Sequence, residues 1–169
     1  LIAEPQGNRI DAFTAERGSA YNCPHCKGEV VLKKGPKVVH HFAHKSPKTC
    51  TWAKGETRAH MEAKALLAKA FSERGLWAEM EFIVKSLPND RRADVMAWSP
   101  NENQIAFELQ HTAIGREEIE ARASSYASAG IAQIWIPFIS ANVWKDGTPR
   151  SGGWFVERYS PRDFERWVH

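Results

Sequence analysis

The sequence lacks the features that define membrane, secreted or disordered proteins. Its 169 residues include three cysteines, an odd number that argues against a disulfide scaffold and for a reducing compartment. No apolar run approaches the length of a membrane span, and no signal-peptide pattern opens the chain. Internal repeats and low-complexity tracts are missing, and the formal net charge is only +3. With 43% apolar and 25% charged residues, the composition predicts a soluble, cytoplasmic globular protein with no membrane partner.

Positive charge is concentrated in one part of the chain. Between Lys27 and Lys54 there are seven lysines and a single acid, Glu29. Such a block can neutralise phosphate groups, so it points to a nucleic acid partner. A solvated basic face explains the same residues equally well, and charge alone leaves both interpretations open.

The composition changes near residue 55 and divides the chain in two. Residues 1–55 are rich in Gly, Pro, Lys, His and Cys, with short β-like pieces only at Glu29–Lys33 and Val38–Phe42. A segment this irregular needs an external staple. We therefore predict a small stapled β module over residues 1–55, with a linker at Ser46–Gly55, and a second domain over residues 56–169.

The second domain alternates between helical and strand-like patterns in the order α-β-β-β-α-β. Gly75 and Gly130 close its two long helices. The apolar run that ends at Ile139 predicts a strand buried on both faces. The predicted helices are Glu56–Arg74, Arg116–Ala129 and one that starts at Ser160–Asp163; the predicted strands are Leu76–Val84, Arg92–Trp98, Gln104–Thr112, Ile131–Ile139 and, after a loop around Lys145–Gly153, Trp154–Val156.

All three cysteines and four of the seven histidines lie between Cys23 and Cys50. Cys23 and Cys26 have the spacing that lets two thiolates reach one metal from a tight turn, and a closed four-ligand zinc site is structural. Because thiolates are soft ligands, we predict Cys23, Cys26, Cys50 and His44 as the zinc ligands, with His41 as the alternative to His44. A redox-active or merely buried pair of cysteines is the competing interpretation, but the clustered histidines favour zinc.

The first helix carries ionisable residues on its apolar side. On a helical wheel, Glu56 and His60 fall inside the apolar stripe, Lys64 lies at its edge, and Glu62 lies outside it. Ionisable groups on a buried face are costly unless they are paired, bound to a metal or open to a cleft. A satisfied core histidine would explain His60 alone, whereas two such residues one turn apart favour a site. The predicted stripe consists of Ala59, Ala63, Leu66, Leu67, Ala70 and Phe71.

Two acids lie inside apolar strands, where Asp and Glu are disfavoured. Period-two alternation places Glu108 and Gln110 on one face of their strand, and the preceding strand supplies Asp94. Asp94 and Glu108 could hold a hard divalent ion with a backbone carbonyl and waters. That ion could activate a water against a phosphodiester. Alternatively, Asp94 pairs with Arg91 or Arg92, and Glu108 faces solvent on an edge strand.

Taken together, these residues resemble the pattern of the competence protein CoiA-like family, a branch of the PD-(D/E)XK nuclease superfamily. The resemblance runs from about Tyr21 to Ile136, and the α-β-β-β-α-β order is the core of that superfamily. It rests on Cys23-Pro24-His25-Cys26, His41-Phe42-Ala43-His44, Glu56-x3-His60-x3-Lys64, Arg92-Ala93-Asp94-Val95 and Phe107-Glu108-Leu109-Gln110.

The resemblance implies a restriction-endonuclease-like α+β domain with a mixed central sheet flanked by helices. It implies Asp94 and Glu108 as ligands of a catalytic Mg²⁺ or Mn²⁺, and Glu56 as a helix-borne acid. Gln110 stands where the superfamily usually has lysine. A glutamine can orient the attacking water but supplies no positive charge, so Lys64 or His60 would have to compensate.

We therefore predict a metal-dependent DNA nuclease, a phosphodiester hydrolase whose zinc module helps to bind single- or double-stranded DNA. Glu56 and His60 would serve a second metal or proton transfer, and recombination or DNA-processing proteins are the expected partners. Two other functions stay open: a catalytically inactive DNA-binding accessory protein of DNA uptake or recombination, and a zinc-stapled protein-interaction module. Metal-dependent cleavage separates the first two, and salt-dependent DNA binding separates both from the third.

Overall fold

The N-terminal part of the chain is built from short antiparallel strands. The computed structural model describes residues 2–5, 8–46, 50, 56–138, 148–155 and 161–168. The N-terminal strands are β1 (Ile2–Ala3), β2 (Ile10–Asp11), β3 (Tyr21–Asn22), β4 (Glu29–Gly35) and β5 (Val38–His44). β1 pairs with β2, while β3, β4 and β5 form a three-stranded sheet. The two predicted β pieces are thus confirmed as a hairpin. The predicted linker falls largely outside the described residues.

The core of this N-terminal module is small. Its buried members are mainly alanines, cysteines, one tyrosine and one valine, and Tyr21 packs against the Phe42 ring at a centroid distance of 4.9 Å. So few large apolar side chains bury little surface, which agrees with the expectation that the module needs a staple.

The rest of the chain forms a mixed sheet with helices, in the predicted order. The elements are α1 (Arg58–Ser72), β6 (Ala78–Val84), β7 (Arg91–Trp98), β8 (Gln104–Gln110), α2 (Arg116–Ser128), β9 (Ala132–Pro137), β10 (Thr148–Arg150), β11 (Gly153–Phe155) and α3 (Asp163–Val168). The sheet order is β6-β7-β8-β9, with β9 parallel to β8 and the other pairs antiparallel. β10 and β11 form a hairpin, so β10 replaces part of the predicted loop. Val156 and Ser160 lie outside the described residues.

Helix α1 begins two residues later than predicted. Thr57 is the N-cap, and its hydroxyl accepts a hydrogen bond from the His60 amide at 3.2 Å. Glu56 therefore precedes the helix instead of lying in its first turn. His60 remains within the first turn, one turn along the chain from Glu56.

The buried face of α1 overlaps the predicted apolar stripe only in part. Leu66, expected inside the stripe, is 67% exposed. Leu67 and Phe71 of the predicted stripe do pack against the buried cluster, but the same face also carries Met61, Ala68 and the fully buried Lys64. The prediction was wrong for Leu66, because a hydrophobic pattern counts lysine as polar and so centred the stripe away from Lys64.

Strand β9 is not buried on both faces, contrary to the prediction. It is an edge strand of the four-stranded sheet in the described part of the chain, and Ile134 is 45% exposed. Trp135 packs against Phe164 of α3 at a ring distance of 5.4 Å. Whether a strand lies at an edge depends on sheet topology, which a continuous apolar run does not encode. Ile139 lies outside the described residues.

The side chains of strand β6 change faces of the sheet at Glu81. Met80 packs in the cluster beneath α1, whereas Phe82 packs in the cluster that contains Tyr126 of α2. Regular alternation would put both on one face. The change coincides with a φ of 52° at Glu81, a left-handed conformation that costs a non-glycine residue about 1 kcal/mol or more. The described pairing with β7 includes Met80 and Phe82 and passes over Glu81, which consequently faces α1.

Strands β7 and β8 separate beside Asp94. Their described pairing ends at Val95 and Phe107. Beyond it, the Leu109 backbone N–H donates to Asp94 Oδ2 at 2.8 Å. The side chain therefore replaces a main-chain acceptor at this position. The separation opens one end of the sheet next to the N-terminus of α1 and helix α2.

Candidate functional site

The four predicted zinc ligands lie together. One donor atom from each of Cys23, Cys26, His44 and Cys50 lies within 4.8 Å of every other. Cys26 Sγ is 3.4 Å from His44 Nε2. Cys23 and Cys50 are buried, whereas Cys26 is half-buried. The cluster could hold a metal ion, and three thiols with one imidazole suit tetrahedral zinc.

A tight turn brings Cys23 and Cys26 together. The Cys23 amide donates to the Gly28 carbonyl at 2.8 Å, and the Lys27 amide donates to the Cys23 carbonyl at 2.9 Å. The Gly28 amide donates to Cys26 Sγ, and a Cβ at Gly28 would lie only 3.2 Å from that sulfur. Burial opposes the thiolate, but the Gly28 amide and the thiols of Cys50 and Cys23 lower the pKa of Cys26. The turn therefore favours the metal-binding form of Cys26.

His41, the alternative fourth ligand, lies on β5 but outside this group. Its Nδ1 is 2.7 Å from the Val39 carbonyl oxygen. His41 and His44 are three residues apart on one strand, so alternation points them to opposite faces. The geometry favours His44 as the fourth ligand.

A second group of possible metal ligands lies where the sheet opens. Donor atoms of Glu56, His60 and Asp94 are all within 4.8 Å of one another. His60 Nε2 is 3.1 Å from Asp94 Oδ2, and His60 Nδ1 is 3.9 Å from Glu56 Oε2. All three side chains retain between 15% and 19% of their exposure, so they border both the core and the solvent.

Lys64 lies beneath this group and is fully buried. Its Nζ is 2.6 Å from both Glu56 Oε2 and Glu81 Oε1, and 3.9 Å from Asp94 Oδ1. Burial opposes the charged form, but Glu81, Glu56 and Asp94 outweigh it and raise the pKa of Lys64. Lys64 is therefore a permanently charged partner of the acids. Because Lys64 is buried, it cannot touch a substrate. It therefore does not take the role of the usual superfamily lysine, whose position is occupied by Gln110 in this chain.

Glu108 is buried between the sheet and α2. Its Oε2 is 2.6 Å from Arg122, and Oε1 accepts a hydrogen bond from the Tyr126 hydroxyl. Burial and the nearby charge of Asp94 raise the pKa of Glu108 to about 7, although Arg122 and Tyr126 act in the opposite direction. Glu108 can therefore exchange a proton near neutral pH. The alternative in which it faces solvent on an edge strand is wrong, because it is 2% exposed.

We expect Glu108→Gln to remove a pH-dependent loss of stability. The folded protein keeps the Glu108 proton between the ordinary pKa of 4.5 and about 7, where the unfolded chain has released it. The resulting stabilisation is present below the lower value and is lost as the pH rises through the higher one. Glutamine does not titrate, so the unfolding free energy of the variant should rise relative to wild type between about pH 5 and pH 8.

Urea unfolding at the two pH values measures this change. Glu62→Gln is the matched control, because the Glu62 side chain on α1 is 44% exposed and pairs with Arg58 at 2.7 Å. If the unfolding free energies of wild type and Glu108→Gln differed by the same amount at about pH 5 and at about pH 8, the expectation would be contradicted.

Gln110 is the last residue of β8, and its side chain contacts the backbone two residues further along the chain. Its side-chain amide donates to the Thr112 carbonyl, and the residue is 9% exposed. It lines the same cleft as Asp94 and Glu108. Its predicted role in orienting a water stays a prediction.

The cleft beside these residues has a volume of about 660 Å³ and contains arginines that sequence reasoning did not assign to the site. Arg92 is 3.5 Å from Glu56 and 3.7 Å from Glu81, while Arg91 pairs with Glu118. The described charged partners of Asp94 are His60 at 3.1 Å and Lys64 at 3.9 Å, which favours the cleft over the alternative of an arginine pair. The cleft is lined by Glu56, Thr57, His60, Asp90, Arg91, Arg92, Asp94, Glu108, Leu109, Gln110, His111, Thr112, Ala113, Ile114, Glu118, Arg122 and Tyr126.

Four side chains that contact the candidate site were not assigned to it from the sequence: Glu81, Arg92, Arg122 and Tyr126. Arg122 and Tyr126 are four residues apart on α2 and share its inner face with Ile119, a spacing that could have revealed them. For Glu81 no such signal exists, because its direction depends on the irregular backbone of β6.

The donors around Asp94 fit a hard divalent ion. Two carboxylates and one imidazole suit Mn²⁺, and a shell completed by water suits Mg²⁺. Glu56, His60 and Asp94 are the described residues that would hold it. Glu108 would join them by releasing Arg122 or Tyr126.

Two family models match the chain. "Competence protein CoiA, N-terminal domain" matches residues 6–53, and "Competence protein CoiA, nuclease-like domain" matches residues 56–146. Competence protein CoiA of Bacillus subtilis (strain 168) is 30% identical over 115 residues, which are 68% of this chain and 30% of that protein. The crystal structure of a protein of unknown function, AF1548, has a TM-score of 0.37 at 16% identity, covering 44% of this chain and 45% of that one.

The fold and the match over residues 56–146 define an α+β protein with a nuclease-like domain. The chain belongs to the competence protein CoiA family, as its motifs indicated. It spans about 30% of the length of the Bacillus relative. In the ranges that the structure describes, none of the helices combines the length and apolar character needed to cross a membrane.

Proposed function

We propose that this chain is a metal-dependent deoxyribonuclease whose catalytic centre is formed by Glu56, His60, Asp94 and Glu108. One observation carries the proposal. Three of these residues converge within 4.8 Å at the open end of the sheet, in a domain that matches a nuclease-like family model. Glu108 lies in the same cleft.

The chemistry follows from the charges around the cleft. A bound Mg²⁺ or Mn²⁺ would activate a water and stabilise the charge that develops on the phosphodiester oxygens. His60 orients Asp94 through the 3.1 Å contact, and Glu108 can accept a proton near pH 7. Arg92 and Arg122, 27% and 32% exposed, supply the positive charge that Gln110 cannot.

Incubation of the protein with single- and double-stranded DNA and either Mg²⁺ or Mn²⁺ tests the proposal. We expect divalent-dependent cleavage that EDTA stops and added metal restores. The donor set contains an imidazole, so we expect Mn²⁺ to support a higher rate than Mg²⁺. The proposed setting is the cytosol, where thiols stay reduced, with DNA and DNA-processing proteins as partners.

The N-terminal module would bind zinc and help to hold the DNA, but not with every lysine of its basic block. Lys34 Nζ donates to the carbonyls of Phe13 and Ala15 at 2.7 and 3.1 Å, so it stabilises the module. Lys27 pairs with Glu4, and Lys45 pairs with Glu29. Lys48 and Lys54 lie outside the described residues. The exposed Lys33 and Lys37 on the β4–β5 hairpin remain for phosphate contacts.

We expect the double variant Lys33→Ala, Lys37→Ala to bind DNA more weakly with a flatter salt dependence. Losing two phosphate contacts should reduce the slope of log K against log salt by about 1.4–1.8. Fluorescence anisotropy over a salt series measures this slope. Lys69→Ala is the control, because Lys69 is an exposed lysine of α1 paired with Glu73. An unchanged slope in the double variant would make the block an ordinary solvated face.

A second function is favoured by the positions of Gln110 and Lys64. The chain has no lysine after Glu108 in the motif, and Lys64 is buried and paired with two acids. A cleft without a lysine at the reacting phosphate suits a DNA-binding accessory protein that does not cleave. Salt-dependent DNA binding without cleavage under any divalent ion would establish this function in place of the nuclease.

A further inference from the structure

Arg9 of the N-terminal module contacts strand β6 at the irregular residue Glu81. Its Nη2 donates to the carbonyl oxygens of Met80 and Glu81 at 3.0 and 3.3 Å. Its Nε is 3.4 Å from Glu79 Oε2, and its guanidinium lies 5.9 Å from the centre of the Phe82 ring. One side chain thus contacts four consecutive residues of β6, where the backbone adopts its left-handed conformation.

The same residue, Glu81, supports the candidate metal centre from the other side. Its carboxylate is 2.6 Å from Lys64 Nζ, which is also 2.6 Å from Glu56 and 3.9 Å from Asp94. If Glu81 turned outward, as regular alternation directs, Lys64 would keep only Glu56 and Asp94 as partners. Its ammonium would then compete with a divalent ion for these two carboxylates.

We propose that Arg9 and Glu81 are positioning residues of the catalytic centre. Arg9 fixes the left-handed turn at Glu81, and Glu81 holds Lys64 so that Glu56 and Asp94 keep their places. The N-terminal module thereby completes the centre in the other domain, beyond any role in binding DNA. Ile2 and Val39 of the module also pack against the cluster beneath α1, so apolar contacts accompany the Arg9 contact. The proposal rests on the proposed function for the identity of the centre.

Four variants of the chain test the proposal: Glu81→Gln, Arg9→Ala, Arg9→Lys and Glu79→Gln. Glu81→Gln keeps the shape of the side chain but removes its charge. Glu79→Gln is the matched control, because Glu79 lies two residues away on β6 and contacts Arg9 but not Lys64. Arg9→Ala removes the contact with the β6 carbonyls without touching the cleft.

The first readout needs no divalent ion. Hydrogen exchange of the Leu109 amide reports the position of Asp94, because Asp94 Oδ2 accepts its hydrogen bond. We expect exchange at Leu109 to become about tenfold faster in Glu81→Gln and Arg9→Ala, and to stay unchanged in Glu79→Gln. Arg9→Lys should restore part of the protection, since a lysine can reach one of the two carbonyls.

The second readout is the affinity for Mn²⁺ without DNA, measured by calorimetry. We expect about 10–100-fold weaker binding in Glu81→Gln, a smaller loss in Arg9→Ala and none in Glu79→Gln. Unchanged exchange and affinity in both Glu81→Gln and Arg9→Ala, or equal losses in Glu79→Gln, would overturn the proposal. If wild type binds Mn²⁺ but cleaves no DNA, only the proposed function fails. If wild type binds no Mn²⁺, the proposal is judged by hydrogen exchange at Leu109 alone. If Glu81→Gln does not fold, the proposal is judged by the results for Arg9→Ala.

Discussion

We expect the Asp94→Asn variant to cleave DNA at least about a thousandfold more slowly than wild type, because a metal ion contributes several kcal/mol to the transition state. Asn removes the negative charge from the group that Asp94 forms with Glu56 and His60. It keeps an oxygen that can accept the Leu109 amide hydrogen bond, so the opening of the sheet should persist. DNA affinity, which depends mainly on cationic side chains, should change little.

Initial rates with Mn²⁺ on labelled single- and double-stranded DNA measure the effect, and circular dichroism checks the fold. Glu62→Gln on α1 serves as the control, since it removes one acid from an exposed i,i+4 pair. Equal rates for wild type and Asp94→Asn would rule out Asp94 as a metal ligand and point to a contaminating nuclease.

Loss of zinc should unfold the N-terminal module before the rest of the chain. Zinc supplies about 10–16 kcal/mol to small zinc-dependent folds at neutral pH, whereas the core around Tyr21 and Val30 is small. Elemental analysis should find one zinc per chain. A chelator should then increase hydrogen exchange in β4 and β5 while β7 and β8 remain protected.

Two histidine variants make this expectation specific. His44→Ala should lose the zinc, because His44 belongs to the cluster with the three cysteines. His41→Ala should keep it, because His41 lies on the same strand but contacts the Val39 carbonyl. Zinc retained by His44→Ala and lost by His41→Ala would reverse the assignment, and protein prepared without chelators that holds no zinc would refute it.

Local patterns in the sequence were enough to predict the longer strands, β4 to β9, and the cysteine cluster. Ile105 and Phe107 do face α1 while Glu108 faces α2, because β8 is regular and alternation holds along it. The ligand spacing around Cys23 and Cys26 depends on one short turn, so it could be recognised without tertiary information. The edge position of β9 could not, since it depends on the order of strands in the sheet.

The charged interior of the site was beyond sequence patterns. Glu79 and Glu81 occupy equivalent positions in an alternating strand, yet only Glu81 reaches Lys64, because its left-handed backbone turns the strand over. The buried position of Lys64 was not predicted either, because an ammonium is buried only when other parts of the chain supply partners for it. Such partners become visible only when the chain is folded.

The buried ammonium of Lys64 also limits how this sequence can diverge. Removing one partner from a buried ion pair costs about 3–5 kcal/mol, whereas replacing the whole group with apolar residues of similar volume is often neutral. A lineage that exchanges Lys64 for methionine alone would remove the ammonium that lies 2.6 Å from both Glu56 and Glu81 and leave them the longer contacts with Arg92 at 3.5 and 3.7 Å. Positions 64 and 81 are therefore expected to covary, because a substitution at either position alone should destabilise the folded chain.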